Sequence, residues 1–504
     1  MFLCENFEKK IEYIDKKFDR CEDIRKLDIE LKYLNNRKGK IYFVEEAVND
    51  ITLKDVMLGL TDVEEIEGLD TIESTVLNGN AVLIIDGKEK ALKLRASGFP
   101  GMSVTEARNE QVIRGSMEGF GISLKTNQVL VRKRLRSSEL KAENIITGRR
   151  SKTSVSVLYM DEIVRPEVLA EVKKRLKDFE IDGFMDSGVI EQLTSEDEWS
   201  LFPQYMTTER PDRAAQLLLD GHVIVLADNS PVALVLPVNF STFMKTPDDY
   251  YNRWGIVSLE RILRYIAVFF AVSLPALYIS VVNFRPEILP DNLIQVFTTA
   301  RQNIPYPVFI EVILMEVAFE LIREAGVRIP GAMGNAIGIV GGLIVGSAAV
   351  DASLASPIIV IVVALTALCS FTIPNNEFSS SFRIIKYFLI FMAAIYGIYG
   401  YIMGHLVVLI HLSGIKSFGF PYFGYVAASE ADDKEKNKDF ILRMPYKYLT
   451  KRPVFSRNSN RHRLLVKSQK MKETSQLKKQ ASQKIKETQE KNMNGSRDGE
   501  GRDS

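Results

Sequence analysis

Five apolar runs lie between Ile262 and Leu412 with charged sequence on either side, and no other feature constrains this chain as much. The first, 262–282, approaches the roughly 20 apolar residues that the hydrocarbon core of a bilayer demands. Its one charge, Arg264, sits near the end of the run, where a long side chain can snorkel to the interface. The other runs cover 308–322, 333–350, 354–373 and 384–412. Backbone in hydrocarbon finds no water to bond, so each run is expected to be a helix rather than an open strand. The expectation is an α-helical polytopic membrane domain over 255–415, with four to six spans.

The 504 residues are 46% hydrophobic with a net charge of +1, averages that merge two classes of sequence. A charged α/β pattern precedes the apolar block. After it come a segment over 416–463, expected to be cytoplasmic, and a Lys/Gln/Glu-rich tail over 464–504 without aromatics, expected to be disordered. Cys4, Cys21 and Cys369 lie far apart and fit neither a disulfide framework nor a metal-ligand spacing. The first residues lack a basic n-region and an apolar h-region, so no secretory signal is expected and the large amino-terminal part is assigned to the cytosol.

Phe7, Ile11, Ile14 and Phe18 recur at helical spacing, so 1–35 is read as an amphipathic N-terminal helix. Strands and helices then alternate, with an Asp86-Gly87 hairpin signal. The stretch from Leu77 to Gly87 can be laid over Leu219 to Asn229. Each copy reads as a helix end, a glycine C-cap at Gly79 or Gly221, a buried strand and a turn opened by Asp86 or Asp228. This pattern points to two related α/β subdomains in a soluble N-terminal region, 36–145 and 146–250, although the motif is common enough to match by accident. His222 falls where Asn80 sits in the first copy and reads as a strand-edge histidine rather than a ligand.

Between the copies lie a glycine-containing stretch, Arg114 to Gly121, and the basic residues Arg132, Lys133, Arg134, Arg136, Arg149, Arg150 and Lys152. No G-x-x-x-x-G-K-[ST] is present, and the glycine spacing fits no nucleotide fingerprint. Solvated basic faces are the plain reading. The alternative is contact with the anionic leaflet or a neighbouring subunit, where each Lys or Arg contributes about 1 kcal/mol.

Gly334, Gly338, Gly342 and Gly346 recur every four residues, a glycine zipper suited to close helix association, and Gly397, Gly400 and Gly404 form a smaller set. Glu311, Glu316 and Glu320 sit in the second apolar run, where carboxylates are costly unless they face water, a partner or a pore. Two readings stand: an ion pathway, or a partly interfacial helix whose acids pair with Arg323 or Arg328. His405 and His411 read as interfacial or packing residues. Arg261 and Arg264 put the start of the first helix inside, so five crossings carry the tail outside. Yet Lys447, Lys451, Arg452 and Arg457 make the tail cytoplasmic by the same rule. Either one run does not span, or 286–304 crosses, or 384–412 contributes differently than its length implies. There is no nucleophile elbow, zinc motif or Walker sequence, so neither an enzyme, a cofactor, a metal nor a nucleic-acid partner is expected.

The order of motifs resembles the A subunits of GerA-type spore germinant receptors over roughly 25–455. The resemblance rests on Val112-Ile-Arg-Gly-Ser-Met-Glu-Gly-Phe120, Arg150-Ser-Lys-Thr153, Thr208-Glu-Arg-Pro-Asp212 and Asp248-Asp-Tyr-Tyr-Asn-Arg253. It continues through Leu274-Pro-Ala-Leu-Tyr278, Pro305-Tyr-Pro-Val-Phe-Ile-Glu311, Arg328-Ile-Pro330 and Ala336-Ile-Gly-Ile-Val-Gly341. It implies a multi-pass protein of the spore inner membrane that acts with a B-type transporter-like subunit and a C-type lipoprotein subunit. It further implies a homo-oligomeric channel in membrane lipid that releases monovalent cations when nutrients bind. Ser116 stands where receptor A subunits more often have proline; a serine there is also seen in the F component of the spore's dipicolinate-channel operon, so the subtype stays open. A secondary transporter and a non-conducting scaffold of the germination complex are the alternatives from other classes.

Overall fold

The computed structural model describes residues 7–31, 36–48, 53–54, 63–99, 106–328, 332–423 and 439–464, without the side chains of 327–340 and 343. Helix α1 (Phe7–Lys17) buries Ile14, with Phe18 just beyond its end. The helix expected over 1–35 stops here. Strand β1 (Ile24–Leu31) follows and pairs antiparallel with β2 (Arg37–Val44), Ile24 opposite Val44. Leu27, Ile29 and Leu31 alternate with charged residues at the strand period, a pattern that the charge density of the segment conceals.

Strand β3 (Val63–Ile66), helix α2 (Leu69–Leu77), β4 (Ala81–Ile85) and β5 (Ala91–Leu94) complete the first sheet, ordered β1-β2-β4-β5-β3. The second unit contains α3 (Leu124–Arg132), β6 (Leu140–Thr147), β7 (Thr153–Met160), α4 (Pro166–Lys177) and α5 (Ser187–Thr194). It ends with β8 (Met206–Thr208), α6 (Pro211–Leu219), β9 (Val223–Ala227) and β10 (Ala233–Leu236). Its sheet runs β6-β7-β9-β10-β8, the same order strand for strand, with α6 standing where α2 stands. Gly79 and Gly221 both have left-handed backbones, φ +80° and +98°, which closes each helix and turns the chain into the central strand. The Asp86 and Asp228 amides then donate to the Lys38 and Ser154 carbonyls, both at 2.9 Å.

The boundary between units differs from 145/146. Strand β6 spans that point, and the buried α3 residues Leu124, Leu130 and Val131 belong to the core of the second sheet. The first unit docks on β6, with Glu22 N–H donating to Ala142 O and Ala142 N–H to Arg20 O.

After the short helices α7 (Phe240–Phe243) and α8 (Asp248–Tyr251) comes the apolar bundle: α9 (Trp254–Phe284), the outlying α10 (Asp291–Ala300), α11 (Val308–Arg328), α12 (Ala332–Asp351), α13 (Pro357–Phe371) and α14 (Asn376–Gly414). Among the described residues, α9 and α14 are long and apolar enough to cross a membrane, and α13 is a shorter apolar helix.

Helix α14 is not a rod. Its 39 residues include Gly397 with φ +58° and ψ −135°, far from helical values. A Cβ on Gly400 would lie 2.0 Å from the Met392 carbonyl oxygen, and one on Gly404 would lie 2.6 Å from Leu389. In a straight helix Leu389 and Gly404 stand about 22 Å apart. Phe202 meanwhile touches both Phe382 and His411, at ring distances of 5.5 and 6.1 Å. The chain therefore reverses at Gly397 into two antiparallel arms, 376–396 and 398–414. The single long run 384–412 contributes twice, and its far end returns to the end of the bundle where it began.

Beyond this hairpin, β11 (Lys416–Ser417) and β12 (Phe420–Pro421) form a small ribbon, and Phe418 enters the core of the second α/β unit. Residues 439–464 fold back on the same unit. Ser456 bridges to Val164, and the Arg457 guanidinium donates to the carbonyls of Val164 and Asp161.

Candidate functional site

The α11 carboxylates come together with bases. Glu311 is fully buried, pairs with Arg301 at 3.2 Å and accepts the Ser356 N–H at the start of α13. Glu316, also buried, accepts from Lys386, while its second carboxylate oxygen has no partner among the described residues. Glu320 accepts from Arg383. Glu316 and Glu320 are one turn apart on α11, and Arg383 and Lys386 one turn apart on the first arm of α14, so two ion pairs stack along the seam between these helices. Of the readings open at the sequence level, pairing within the chain is what the structure presents, with different partners. Arg323 instead lies over the Phe371 ring at 4.9 Å, and the Arg328 side chain is outside the described residues. Arg383 and Lys386 are both residues of α14. They lie inside the helix because Asn375 caps it, its side chain accepting the Phe378 N–H at 2.9 Å.

Half of the glycine zipper is described. A Cβ on Gly346 would meet Val360 of α13 at 3.3 Å, whereas one on Gly342 would meet nothing within 4 Å. The surroundings of Gly334 and Gly338 are outside the described residues.

The basic residues separate into two groups. Arg132 is completely buried and grips Asp23 of the first unit through two bonds, 2.7 and 2.8 Å. It is therefore not a solvated or leaflet-facing charge, because its guanidinium cements the two units. Lys133 and Arg134 both hold Glu118, and Arg136 donates to Asn78 at 2.7 Å. Arg149 and Arg150 pair with Asp182 on the surface, and Lys152 is also exposed.

A cluster that the sequence left unnoticed joins the α/β part to the bundle. Arg261 of α9 bonds Asp249 and Asp439, each at 2.7 Å, while Arg264 holds Asp249 at 2.9 Å and Lys245 holds Asp439 at 3.1 Å. Burial pushes the Asp439 carboxyl up, but Lys245 and Arg261 outweigh it and bring the pKa to about 2. Asp439 lies nearly two hundred residues from its partners, so no local motif could have announced it.

His222 is fully buried, its Nδ1 2.7 Å from the Pro237 carbonyl and its ring 4.4 Å from that of Phe455. Burial drives its pKa down to about 3. Below pH 6.5 the unfolded chain takes up a proton that the folded chain refuses, so stability falls as pH drops from 6.5 toward 3. By pH 5 this amounts to about 2 kcal/mol. Urea unfolding of the detergent-solubilised chain is expected to show that slope, and His222→Gln to flatten it. An equal slope in the variant would assign the effect to other groups.

Among the described residues, no group of three or more His, Cys, Asp or Glu is arranged to hold a metal ion. The arrangement is one of packing and charge pairing around an apolar bundle.

Comparison with known proteins extends over the α/β units, the bundle and the returning segment alike. Residues 12–455 match the family model described as Bacillus/Clostridium GerA spore germination protein. Spore germination protein A1 of Bacillus subtilis strain 168 is 39% identical over 417 residues, covering 80% of this chain and 85% of that protein. A protein named uncharacterized membrane protein YfkQ, from the same strain, is 36% identical over 479 residues, covering 90% and 92%. Among solved structures, the N-terminal domain of the A subunit of the Bacillus megaterium spore germinant receptor GerK3 is similar at 24% identity and a TM-score of 0.38, over 48% of this chain and 98% of that one. Matched from residue 12 to residue 455, and sharing more than a third of its residues with relatives along most of their length, this chain belongs to the GerA family of spore germination proteins.

Proposed function

We propose that this chain is the membrane-embedded A-type subunit of a spore germinant receptor. The observation that carries the proposal is the family match across 12–455, which takes in both α/β units and the whole bundle. Six crossings are assigned: α9, α11, α12, α13 and the two arms of α14. An even number starts and ends on one side, which agrees with the basic residues at both ends of the bundle. The α/β units and residues 439–464 then share the cytoplasmic side of the spore inner membrane. Large apolar side chains on the outer face of the bundle support lipid or subunit contact there, among them Leu263, Leu321, Leu368 and Ile410.

In this reading the chain works with a B-type transporter-like subunit and a C-type lipoprotein, and copies of it assemble into a nutrient-gated path for monovalent cations. Spores lacking the chain are expected to lose potassium release in response to one member of a panel of amino acids, sugars and nucleosides. Unchanged release across the panel would overturn the assignment.

The open face at Gly342 suits another copy of the chain. Gly342→Leu is expected to leave the single chain folded, since a Cβ there meets nothing among the described residues, and to abolish recovery of the homo-oligomer in mild detergent. An oligomer of unchanged size would remove α12 from the interface.

One observation favours a second reading, the non-conducting scaffold: Glu311, Glu316 and Glu320 each have a cationic partner. Cation flux through liposomes holding the chain with its partner subunits separates the two, because a scaffold gives none.

A further inference from the structure

A cavity of about 400 Å3 lies where the α/β part, α9, the second arm of α14 and the returning segment meet. That volume is within the range of sites that hold drug-sized ligands. Its walls are apolar, with Val268 and Val272 from α9 facing Val408 and Leu412 from the arm. Such a space stays dry and takes hydrocarbon.

Polarity is unevenly placed. At the deep end the His405 ring is satisfied at both nitrogens, by the Tyr401 carbonyl at 2.8 Å and the Ser273 hydroxyl at 2.7 Å. At the other end the Ser241 and Tyr265 hydroxyls face each other, and the Tyr422 hydroxyl is buried with no hydrogen-bond partner among the described residues. Tyr422 is 0% exposed, and an orphan hydroxyl at such depth costs about 1–3 kcal/mol. Ser273 and Tyr265 stand about 12 Å apart along α9. The cavity is thus a hydrocarbon slot with a hydrogen-bonding end.

The mouth identifies the occupant. Phe269 and Leu409, both lining the cavity, are 52% and 45% exposed, and the outer face around them continues as Ile266, Leu406 and Ile410. The slot therefore opens sideways, at the depth of the bilayer, with its hydroxyls toward the end where the α/β part sits. An amphiphile whose polar end lies at the membrane surface matches that order; a free apolar solute has no use for it.

We propose that this cavity holds one acyl chain of a bilayer phospholipid, with the ester end at the Ser241 and Tyr265 hydroxyls and the chain running toward Ser273. The proposal rests on the bundle lying in a membrane. It makes a lipid part of the joint through which the α/β units bear on α9 and α14.

The test uses the full chain in phosphatidylglycerol vesicles containing a phosphatidylglycerol with a diazirine near the middle of one acyl chain. Irradiation is expected to give adducts on Val268, Val272 and Val408, mapped by peptide mass spectrometry. Val272→Phe and, from the opposite wall, Val408→Phe fill the slot; in each, adducts at the remaining cavity positions are expected to fall about tenfold. Adducts at the outward-facing Leu263 and Ile410 persist. Two variants on different helices guard against one failing to fold. Adducts at Leu263 and Ile410 without cavity adducts overturn the lipid site and leave the membrane assignment standing, as do cavity adducts undiminished in both variants. Cavity labelling by a soluble diazirine alcohol but not by the lipid also overturns it. No adducts even at Leu263 and Ile410 overturn the membrane assignment along with the site.

Discussion

Gly400→Leu is expected to abolish recovery of folded protein. A Cβ at this position would stand 2.0 Å from the Met392 carbonyl oxygen, a backbone atom that cannot swing aside as a side-chain tip can. Overpacking that side chains absorb costs about 1–3 kcal/mol. Here the arms of α14 have to part, which uncovers Leu389 and Ala393, both 0% exposed in the native state. The total exceeds about 3 kcal/mol, a large share of the roughly 5–15 kcal/mol that keeps a protein folded. Gly414→Ala, with nothing within 4 Å of the new Cβ, is the control expected to behave as the native chain. Yield of monodisperse protein and thermal unfolding in detergent are the readouts. A Gly400→Leu protein of unchanged midpoint would mean that α14 runs straight. Spin labels at the exposed Ile384 and Ile410 give a second measure, because a straight helix holds them about 39 Å apart and the hairpin brings them together.

The second large effect is expected at the seam between α11 and α14. Lys386→Met leaves Glu316 buried with no cation, and breaking a buried pair from one side costs about 3–5 kcal/mol. Adding Glu316→Gln removes the stranded charge, so the double variant is expected to regain most of that loss. This recovery in an unfolding cycle distinguishes a buried pair from two independent residues. The same double variant tests the channel reading. Altered potassium release from spores carrying it, in a chain of near-native stability, would put the seam in the cation path. Unchanged release, also with Glu320→Gln, would assign the pairs to structure alone.

Much of this architecture is legible in the sequence, and the limits have physical causes. The eleven residues matched between 77–87 and 219–229 carry a glycine that has to be left-handed and a strand buried on both faces, features that leave local traces. The rest of the duplication is carried by which strand pairs with which, a non-local property that needs no shared residues, and β1 was missed because charge crowds its alternation. Length alone made 384–412 one helix; the reversal needs only Gly397, and nothing about a single glycine separates a packing contact from a turn. The three carboxylates of α11 were visible as costly. Their partners were not, because Lys386 lies 70 residues from Glu316 and pairs with it only once the first arm packs alongside α11.

The closure of the second α/β unit by Phe418, Ser456 and Arg457 has a consequence for biosynthesis. Its last strand, β10, leaves the ribosome before any helix of the bundle has been made. Phe418 and the 439–464 segment emerge only after the entire bundle. The unit therefore stays half-finished until the bundle has been translated, and only then acquires its final wall. A ribosome that stops within the bundle releases a chain whose second α/β unit, encoded upstream, still lacks the cover of Phe418, Ser456 and Arg457.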